Sequence, residues 1–354
     1  MDLLKYKSDF KEAKQYWNAF WNKEVIDRPC ISITAPLDEK SKKLRPYQRA
    51  RCSDTEFDKV LIDFDVWAES TYFGADAVPF FRFSFGPDQF SSFLGAELTV
   101  AEDKQTSWVN PYVTDWKTVK LQLNEDNENW KKMLYYINKA SKFGEGKFIT
   151  GMIDLHSNMD CLSAVRDPAN LCMDILDCPE ELDKVMKQVR SQYVPIHKAI
   201  HEAGAMVDRG CIGWIPCYAE GKFAVVQCDF MCMISPEHAR RFVMPAVAEE
   251  AAYLDYSIFH LDGANALVHL DDILAIPDID AVQWVPGAGK PPLIEWMDIL
   301  KKIIKAKKGT QLYCTVEEAK IFHKELGPQG VFYDIGATSK KEADDLIAWF
   351  KKNT

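Results

Sequence analysis

The sequence has no block of lysine and arginine residues, and none of its uninterrupted apolar runs approaches the length of a membrane span. Acidic and basic residues are interspersed along the 354 positions and give a formal net charge of −10. Nucleic-acid binding usually relies on a basic patch or stripe, and a transmembrane helix needs about 20 predominantly apolar residues. We therefore expect neither a nucleic-acid partner nor a membrane.

A secretion leader is also missing from the first residues, which are charged and contain no apolar segment. The ten cysteines are scattered and lack the spacing of a small disulfide scaffold or of a zinc knuckle. These two features predict a cytoplasmic protein whose cysteines are reduced, most of them as ordinary packing residues.

The common motifs of nucleotide and ester chemistry are absent as well. The sequence contains no G-x-G-x-x-G loop and no Walker A loop, and Gly287-Ala-Gly289 is too short to cradle a phosphate. It also contains no G-x-S-x-G elbow, which disfavours a hydrolase triad. We therefore expect no nucleotide cofactor.

What the sequence does contain is an alternation of strand-like apolar runs with helical patterns. This alternation predicts an α/β fold, a (β/α)8 TIM barrel in a single domain, with an N-terminal helical extension. Residues 84–147 have weak periodicity and predict an elaborated loop segment over the barrel mouth. A doubly wound sheet is the alternative fold. The eight predicted strands are 30–35, 77–83, 148–154, 205–214, 257–262, 281–285, 311–315 and 331–335.

Helix starts are indicated by capping pairs, in which a short polar residue precedes an acidic one by three positions. Such pairs predict the start of the first helix and of the last two. The three pairs are Asp9 with Glu12, Thr315 with Glu318, and Ser339 with Glu342.

Two histidine–aspartate pairs are the strongest candidates for chemistry, because catalytic residues of a (β/α)8 barrel lie at the carboxyl ends of strands. His260 and Asp262 end the fifth predicted strand, two residues apart and so on one side of it. Asp154 and His156 form a second pair after the third strand. Together they could hold a divalent metal or divide the roles of acid and base. The alternative for each pair is structural: a buried histidine satisfied by a neighbour, or a hydrogen-bonded loop.

Further polar and aromatic side chains are predicted at the same mouth. The aromatic ones could wall a flat substrate, although core packing is the ordinary role of a single aromatic residue. Cys217 could be a soft metal ligand beside His260, and Asp334 ends the last strand. The predicted substrate-binding residues are Arg82, Trp214, Tyr218, Gln227, Asp229, Gln283 and Trp284.

Several segments resemble the uroporphyrinogen decarboxylase-like proteins, a family that shares a superfamily with corrinoid methyltransferases and cobalamin-independent methionine synthase. In that group a strand ends in His-x-Cys-Gly or a variant, and a Ser-Pro helix precedes it. The segments that carry the resemblance are Asp27-Arg-Pro29, 235–245 (SPEHARRFVMP), 256–263 (YSIFHLDG), 269–277 (HLDDILAIP) and 280–284 (DAVQW).

The resemblance implies an enzyme that moves a methyl group between a small methylated substrate and a corrinoid protein or related acceptor. It also implies a homodimer. His260 matches the family's metal-binding histidine, but Asp262 replaces the cysteine, and the last strand offers no cysteine either. The expected cation, zinc or another divalent metal, would therefore have a harder ligand set of His260 and Asp262, with Cys217 as a third ligand.

A decarboxylase or lyase that acts without a metal on a small carboxylated or hydroxylated substrate is the alternative. Asp154 or Asp262 would then serve as acid or base, with Trp214 and Trp284 as pocket walls. The arginine-rich substrate loop of the true decarboxylases is matched well only by Arg28. The other arginines of that region, Arg45, Arg49 and Arg51, are out of register. A non-catalytic small-molecule binder is a third reading.

Overall fold

The computed structural model describes residues 3–38, 54–101 and 106–354, so that Arg45, Arg49 and Arg51 lie outside the described residues. The described helices are α1 Phe10–Trp21, α2 Asp54–Glu69, α3 Gln89–Phe93, α4 Glu128–Phe143, α5 Asn158–Arg166, α6 Pro168–Asp177, α7 Pro179–Ala203, α8 Met206–Arg209, α9 Pro236–Phe242, α10 Met244–Tyr253, α11 Leu270–Leu274, α12 Met297–Lys305, α13 Val316–Leu326 and α14 Lys340–Asn353. The strands are β1 Cys30–Pro36, β2 Thr71–Ala75, β3 Phe80–Phe81, β4 Leu98–Val100, β5 Ser107–Val109, β6 Ile149–Thr150, β7 Cys211–Ile212, β8 Tyr218–Ala219, β9 Phe223–Gln227, β10 Tyr256–Asp262, β11 Ala281–Val285, β12 Gly309–Tyr313 and β13 Val331–Gly336. Within the described residues, 3₁₀ segments cover Asp229–Met233, Ala264–His269 and Leu293–Trp296.

A seven-stranded sheet forms the centre of the fold, in the order β2-β1-β13-β12-β11-β10-β9. All neighbouring strands in it are parallel except β2, which runs antiparallel to β1. From β9 to β13 each strand lies beside the next one in the chain, and β13 then pairs with β1. A doubly wound sheet would reverse this order at a switch point. The prediction of a mixed α/β fold with a parallel sheet is confirmed.

Outside this sheet, two short strands pair in parallel and a backbone hydrogen bond links them to a third. β3 pairs with β6 in parallel, Phe80 opposite Ile149. Beyond the paired residues, Gly151 N donates to Phe81 O at 2.7 Å, and Met152 N donates to Ile212 O at 2.7 Å. β3, β6 and β7 therefore follow one another in space as they do in the chain.

The predicted fourth strand, 205–214, is wrong for most of its length. Met206–Arg209 is helical, and β7 is half of an antiparallel hairpin with β8. Gly210, at a φ of +84°, separates the helix from β7. The place beside β10, opposite β11, is taken by β9, which was not predicted from the sequence. β9 is fully buried, and a short apolar run without alternation cannot be told from a buried helix segment by its periodicity.

The first and last helices follow their predicted patterns, with one difference at each start. α1 buries Trp17, Phe20 and Trp21 against the sheet, but Asp9 makes no cap and instead binds Lys7 Nζ at 2.9 Å. The capping box of Thr315 and Glu318 on α13 is confirmed. In α14, Ser339 accepts a hydrogen bond from Glu342 N, but the Glu342 carboxylate returns to Thr338.

The segment 84–147 is more regular than predicted. It contains the short helix α3 and the hairpin of β4 and β5, but also α4, a helix of 16 residues. Asn127 caps α4 by accepting from Trp130 N, and the helix buries Met133 and Ile137. α4 packs on α7, the longest helix described. Within the described part of the chain, no helix combines the length and the apolar character needed to cross a membrane.

Arg28 lies on the amino-terminal side of the sheet, immediately before β1, and not at the carboxyl ends of the strands. Its guanidinium is buried and binds Asp76, with Nη2 at 2.9 Å from Oδ1, and it stacks on the ring of Tyr16. Asp76 also accepts from Ile31 N at 2.9 Å. Arg28 therefore helps to position the chain at the start of β1, and its positive charge is compensated by the Asp76 carboxylate. A cavity of about 310 Å³ between this edge and α14 is lined by Arg28 and Lys351 among others.

Candidate functional site

A row of polar side chains crosses one face of the parallel sheet near the carboxyl ends of five strands. In the register, Gln227 lies opposite His260, His260 opposite Gln283, and Gln283 opposite Gln311. Asp334 continues the row on β13, two positions beyond the residue paired with Gln311. Because side chains alternate across a sheet, these residues share one face. We call Gln227, His260, Gln283, Gln311 and Asp334 the polar row.

His260 stands beside two carboxylates at the accessible edge of this row. Asp229, His260 and Asp262 each place a ligand atom within 4.8 Å of the others. Asp262 ends β10, while Asp229 begins the 3₁₀ segment after β9. These three residues come together because β9 and β10 are neighbours and both end here. We call them the carboxylate–histidine cluster.

Asp229 is held in place by a second aspartate. Asp160 Oδ2 accepts from Asp229 N at 3.0 Å, and its Oδ1 accepts from Phe230 N at 2.8 Å. The Asp229 side chain keeps 49% of its surface accessible, so its carboxyl lies at the rim of the site. Partial burial and the nearby charge of Asp160 raise the pKa of Asp229 to about 6. The Asp229 carboxyl is therefore protonated and deprotonated close to neutral pH.

His156 lies behind this cluster as a buried cation. Its Nε2 is 3.0 Å from Asp154 Oδ2, and its Nδ1 is 3.5 Å from Asp160 Oδ2 and 4.0 Å from Asp229 Oδ2. Burial opposes a charged ring, but Asp154 and then Asp160 outweigh it and raise the pKa of His156 well above its usual value. Burial would also raise the pKa of Asp154, and the charge of His156 reverses this and lowers it. The predicted pair of Asp154 and His156 is therefore a tight ion pair.

Glu250 supports the same segment from α10. Ser157 Oγ donates to Glu250 Oε1 at 2.6 Å, and Asn158 Nδ2 lies 3.4 Å from the same oxygen. Asn158 Nδ2 also donates to Gln227 O at 2.9 Å, which ties the start of α5 to the end of β9. Complete burial raises the pKa of Glu250 to about 8. At neutral pH this carboxyl is largely protonated.

Three other predicted site residues lie near the two histidines. The ring of Trp214 packs edge-on against His260, with centroids 4.8 Å apart. Arg82 is close enough to Asp154 for its charge to lower the pKa of that carboxyl. Gln227 lies opposite His260 in the sheet, and its side-chain amide contacts His156 Nε2.

The structure does not bring Tyr218 and Trp284 to this cluster. Tyr218 is buried on the α1 side, packs on Phe10 and donates to Arg209 O at 3.1 Å. Trp284 is 1% exposed and packs on Trp296. It follows Gln283 on β11 and so points to the opposite face of the sheet from the polar row.

Cys217 is fully buried, and burial together with the charge of Asp334 raises the pKa of its thiol well above the usual range. A cysteine binds zinc as its thiolate, not as the protonated thiol. Among the described residues, the third group that joins His260 and Asp262 is Asp229 and not Cys217.

Sequence reasoning did not identify Asp160, Gln311 or Glu250 as part of the site. Asp160 stands four residues after His156, one helical turn away, and that spacing was the available signal. Gln311 is a buried amide in a strand, and Glu250 is a carboxylate in the apolar stripe of α10. Buried polar residues of this kind require a hydrogen-bond partner. That requirement could have identified Gln311 and Glu250 as candidates.

No protein-family model matches the chain, and no curated protein matches it. Among solved structures, the chain is similar to a methyltransferase from Methanosarcina mazei, with a TM-score of 0.63 and 11% sequence identity. The alignment covers 96% of this chain and 98% of the other. At this identity the likeness is one of fold, and it extends over the whole length of both chains.

Proposed function

We propose that this protein is a methyltransferase of the uroporphyrinogen decarboxylase-like type. It would move a methyl group between a small methylated substrate and a corrinoid protein or related acceptor. The observation that carries the proposal is the cluster of Asp229, His260 and Asp262 at the carboxyl ends of β9 and β10. The full-length likeness in fold to a solved methyltransferase supports it.

We also infer that the sheet closes into the (β/α)8 barrel expected for that type. The order from β9 through β13 to β1 runs in one direction. Asp76 N donates to Ile31 O at 2.8 Å, which joins β1 to the segment that leads to β3. The parallel pairing of β3 with β6, and the hydrogen bond of residue 152 to β7, continue from there.

The donor set of the cluster fits a divalent cation. It combines one imidazole with two carboxylates, and all three belong to the zinc ligands found in proteins. His260 Nδ1 is hydrogen-bonded to Gln283 Oε1, which leaves Nε2 for a cation. We propose zinc or another divalent metal held by Asp229, His260 and Asp262. When bound, it would act as a Lewis acid on the heteroatom that carries the methyl group.

The residues around the cluster would bind and orient the substrate. Trp214 would provide an aromatic wall beside His260. Asp229, tethered by Asp160, would hold a proton near neutral pH for the departing heteroatom whenever it is not engaged by a cation. Asp154 and His156 would keep a buried charge pair behind it.

A metal-independent lyase or decarboxylase is the second candidate, and the pKa of Asp229, raised to about 6, favours it. A carboxyl with that pKa is suited to general acid–base catalysis. His156 would then stabilise negative charge that develops on the substrate.

Zinc binding and methyl transfer together test the first proposal. We expect the purified protein to bind zinc in competition with a chromophoric chelator. We also expect it to methylate cob(I)alamin from at least one of a panel of methylated amines, thiols and alcohols. His260→Ala should weaken zinc binding by more than the roughly 10–100-fold that loss of an outer partner costs. Asp262→Asn should weaken zinc binding at least tenfold, and Asp271→Asn, at an exposed carboxylate paired with Lys302, is its matched control. Wild-type protein that binds no zinc and methylates no corrinoid would exclude this function.

Replacement of Cys217 distinguishes the two possible ligand sets. We expect Cys217→Ala to keep the zinc affinity of the wild type within about twofold, because the thiol is buried and protonated. Asp229→Asn should weaken zinc binding at least tenfold. The opposite pattern, with Cys217→Ala impaired and Asp229→Asn intact, would restore the thiol as the third ligand.

A further inference from the structure

Four side chains of the polar row are joined end to end by hydrogen bonds across four neighbouring strands. His260 Nδ1 contacts Gln283 Oε1, and Gln283 Nε2 donates to Gln311 Oε1. Gln311 Nε2 donates to Asp334 Oδ2 at 2.9 Å. Both glutamines are buried, so water does not compete for their amide groups.

The Asp334 carboxylate determines which group donates and which accepts in each of these hydrogen bonds. An ionised carboxylate can only accept hydrogen bonds, so Gln311 must turn its NH₂ group toward Asp334. The Gln311 carbonyl then faces Gln283 and requires the NH₂ group of that amide. The Gln283 carbonyl in turn faces His260, where it requires a proton on Nδ1. In the neutral ring, Nε2 is then the nitrogen with the free lone pair.

The reverse direction would have the opposite effect. If Gln283 turned its NH₂ group toward His260, Nδ1 would have to accept, and the proton would move to Nε2. The ring would then have no lone pair at Nε2 for a cation or for a proton from the substrate. The two amides are symmetric enough in shape to adopt either direction, so the carboxylate decides between them.

We propose that Asp334 sets the tautomer of His260 through Gln311 and Gln283, and so keeps the Nε2 lone pair available to the carboxylate–histidine cluster. Asp334, Gln311 and Gln283 are positioning residues, since they act through His260. This inference deepens the proposed function and rests on His260 being its central group.

The tautomer can be read directly, without any assay of activity. The ring nitrogens of the seven histidines would be recorded by long-range ¹H–¹⁵N correlation in metal-free, ¹⁵N-histidine-labelled protein, with His260 assigned from His260→Gln. We expect the Nδ1–H form in the wild type. Gln283→Met and Gln311→Met preserve side-chain volume but break the chain, and both should shift His260 to a mixture or to the Nε2–H form. Zinc affinity should fall about 10–100-fold in Gln283→Met.

Two further variants sharpen the experiment. Asp334→Asn keeps the shape but can accept or donate, so it should give a mixture of tautomers with the fold intact. Gln188→Met is the matched control, because Gln188 lies on α7 and accepts from Leu121 N, outside the row. It should leave the His260 signals unchanged.

The outcomes separate this inference from the proposed function. A His260 tautomer that is the same in the wild type, Gln283→Met, Gln311→Met and Asp334→Asn would overturn the inference, even if methyl transfer is observed. A tautomer that responds as expected, in a protein that neither binds zinc nor methylates a corrinoid, would support the inference and count against the function.

Discussion

Replacement of His156 by glutamine should lower the free energy of unfolding by about 3–5 kcal/mol, the range measured when one partner of a buried ion pair is removed. Asp154 and Asp160 would lose the charge that compensates them, at distances of 3.0 and 3.5 Å. Glutamine can donate one hydrogen bond to a carboxylate but carries no charge. We therefore expect the loss to exceed that of an ordinary buried hydrogen bond, which is about 1 kcal/mol.

The pH dependence of this loss has a definite sign. The pKa of His156 is raised on folding, so its contribution is complete below the unfolded value of about 6.5 and falls as pH rises toward the folded value. The pKa of Asp154 is lowered on folding, so its contribution is complete above about 3.8 and is lost as pH falls further. The difference between wild type and His156→Gln should be largest between about pH 4 and 6.5.

Urea unfolding at a series of pH values would measure this effect. His238→Gln, a histidine outside the buried cluster that interacts with Ser235, is the matched control and should change stability by less than about 0.5 kcal/mol. The double variant Asp154→Asn/His156→Gln should recover part of the loss, because it removes an uncompensated charge. A single variant as stable as the wild type across this range would show that His156 is neutral in the folded protein.

Most strands of the parallel sheet and the location of the candidate site could be predicted from the sequence, since both depend on local patterns. β10 and β11 are apolar runs of strand length that end in polar residues, and His260 and Asp262 lie where the first of them ends. β9 was not identified, because its five buried residues have no alternation. Without β9, the sequence predicts Asp229 only as a substrate-binding residue at the mouth, and its position beside His260 and Asp262 could not be predicted.

Contacts between strands explain the remaining differences. The bonds from His260 through Gln283 and Gln311 depend on the register of three strand pairs, and no single segment records that register. One difference was open to sequence reasoning. Gln283 and Trp284 are consecutive on β11 and must point to opposite faces, so both could not line one pocket.

Glu250→Gln should make the stability of the protein less dependent on pH. The pKa of Glu250 is raised on folding from about 4.5 to about 8. Between these values the folded protein holds a proton that the unfolded chain has released, so stability falls by about 1.4 kcal/mol per pH unit from this group. Across the window the fall is on the order of 5 kcal/mol. Glutamine is always neutral and can accept from Ser157 as the protonated acid does, so the variant should lack this slope.

The measurement is the difference in unfolding free energy between variant and wild type from pH 5 to 9, which should shift steadily in favour of Glu250→Gln up to about pH 8 and then level off. Glu249→Gln is the adjacent control, because Glu249 is exposed and pairs with Arg190. Parallel pH profiles for wild type and Glu250→Gln would mean that this carboxyl is ionised in the fold.

Ser157 and Asn158, which contact Glu250, directly follow His156 and lead into the helix that holds Asp160. Ionisation of Glu250 above pH 8 should therefore disturb the anchoring of Asp229, and the activity of the wild type should fall there while that of Glu250→Gln persists.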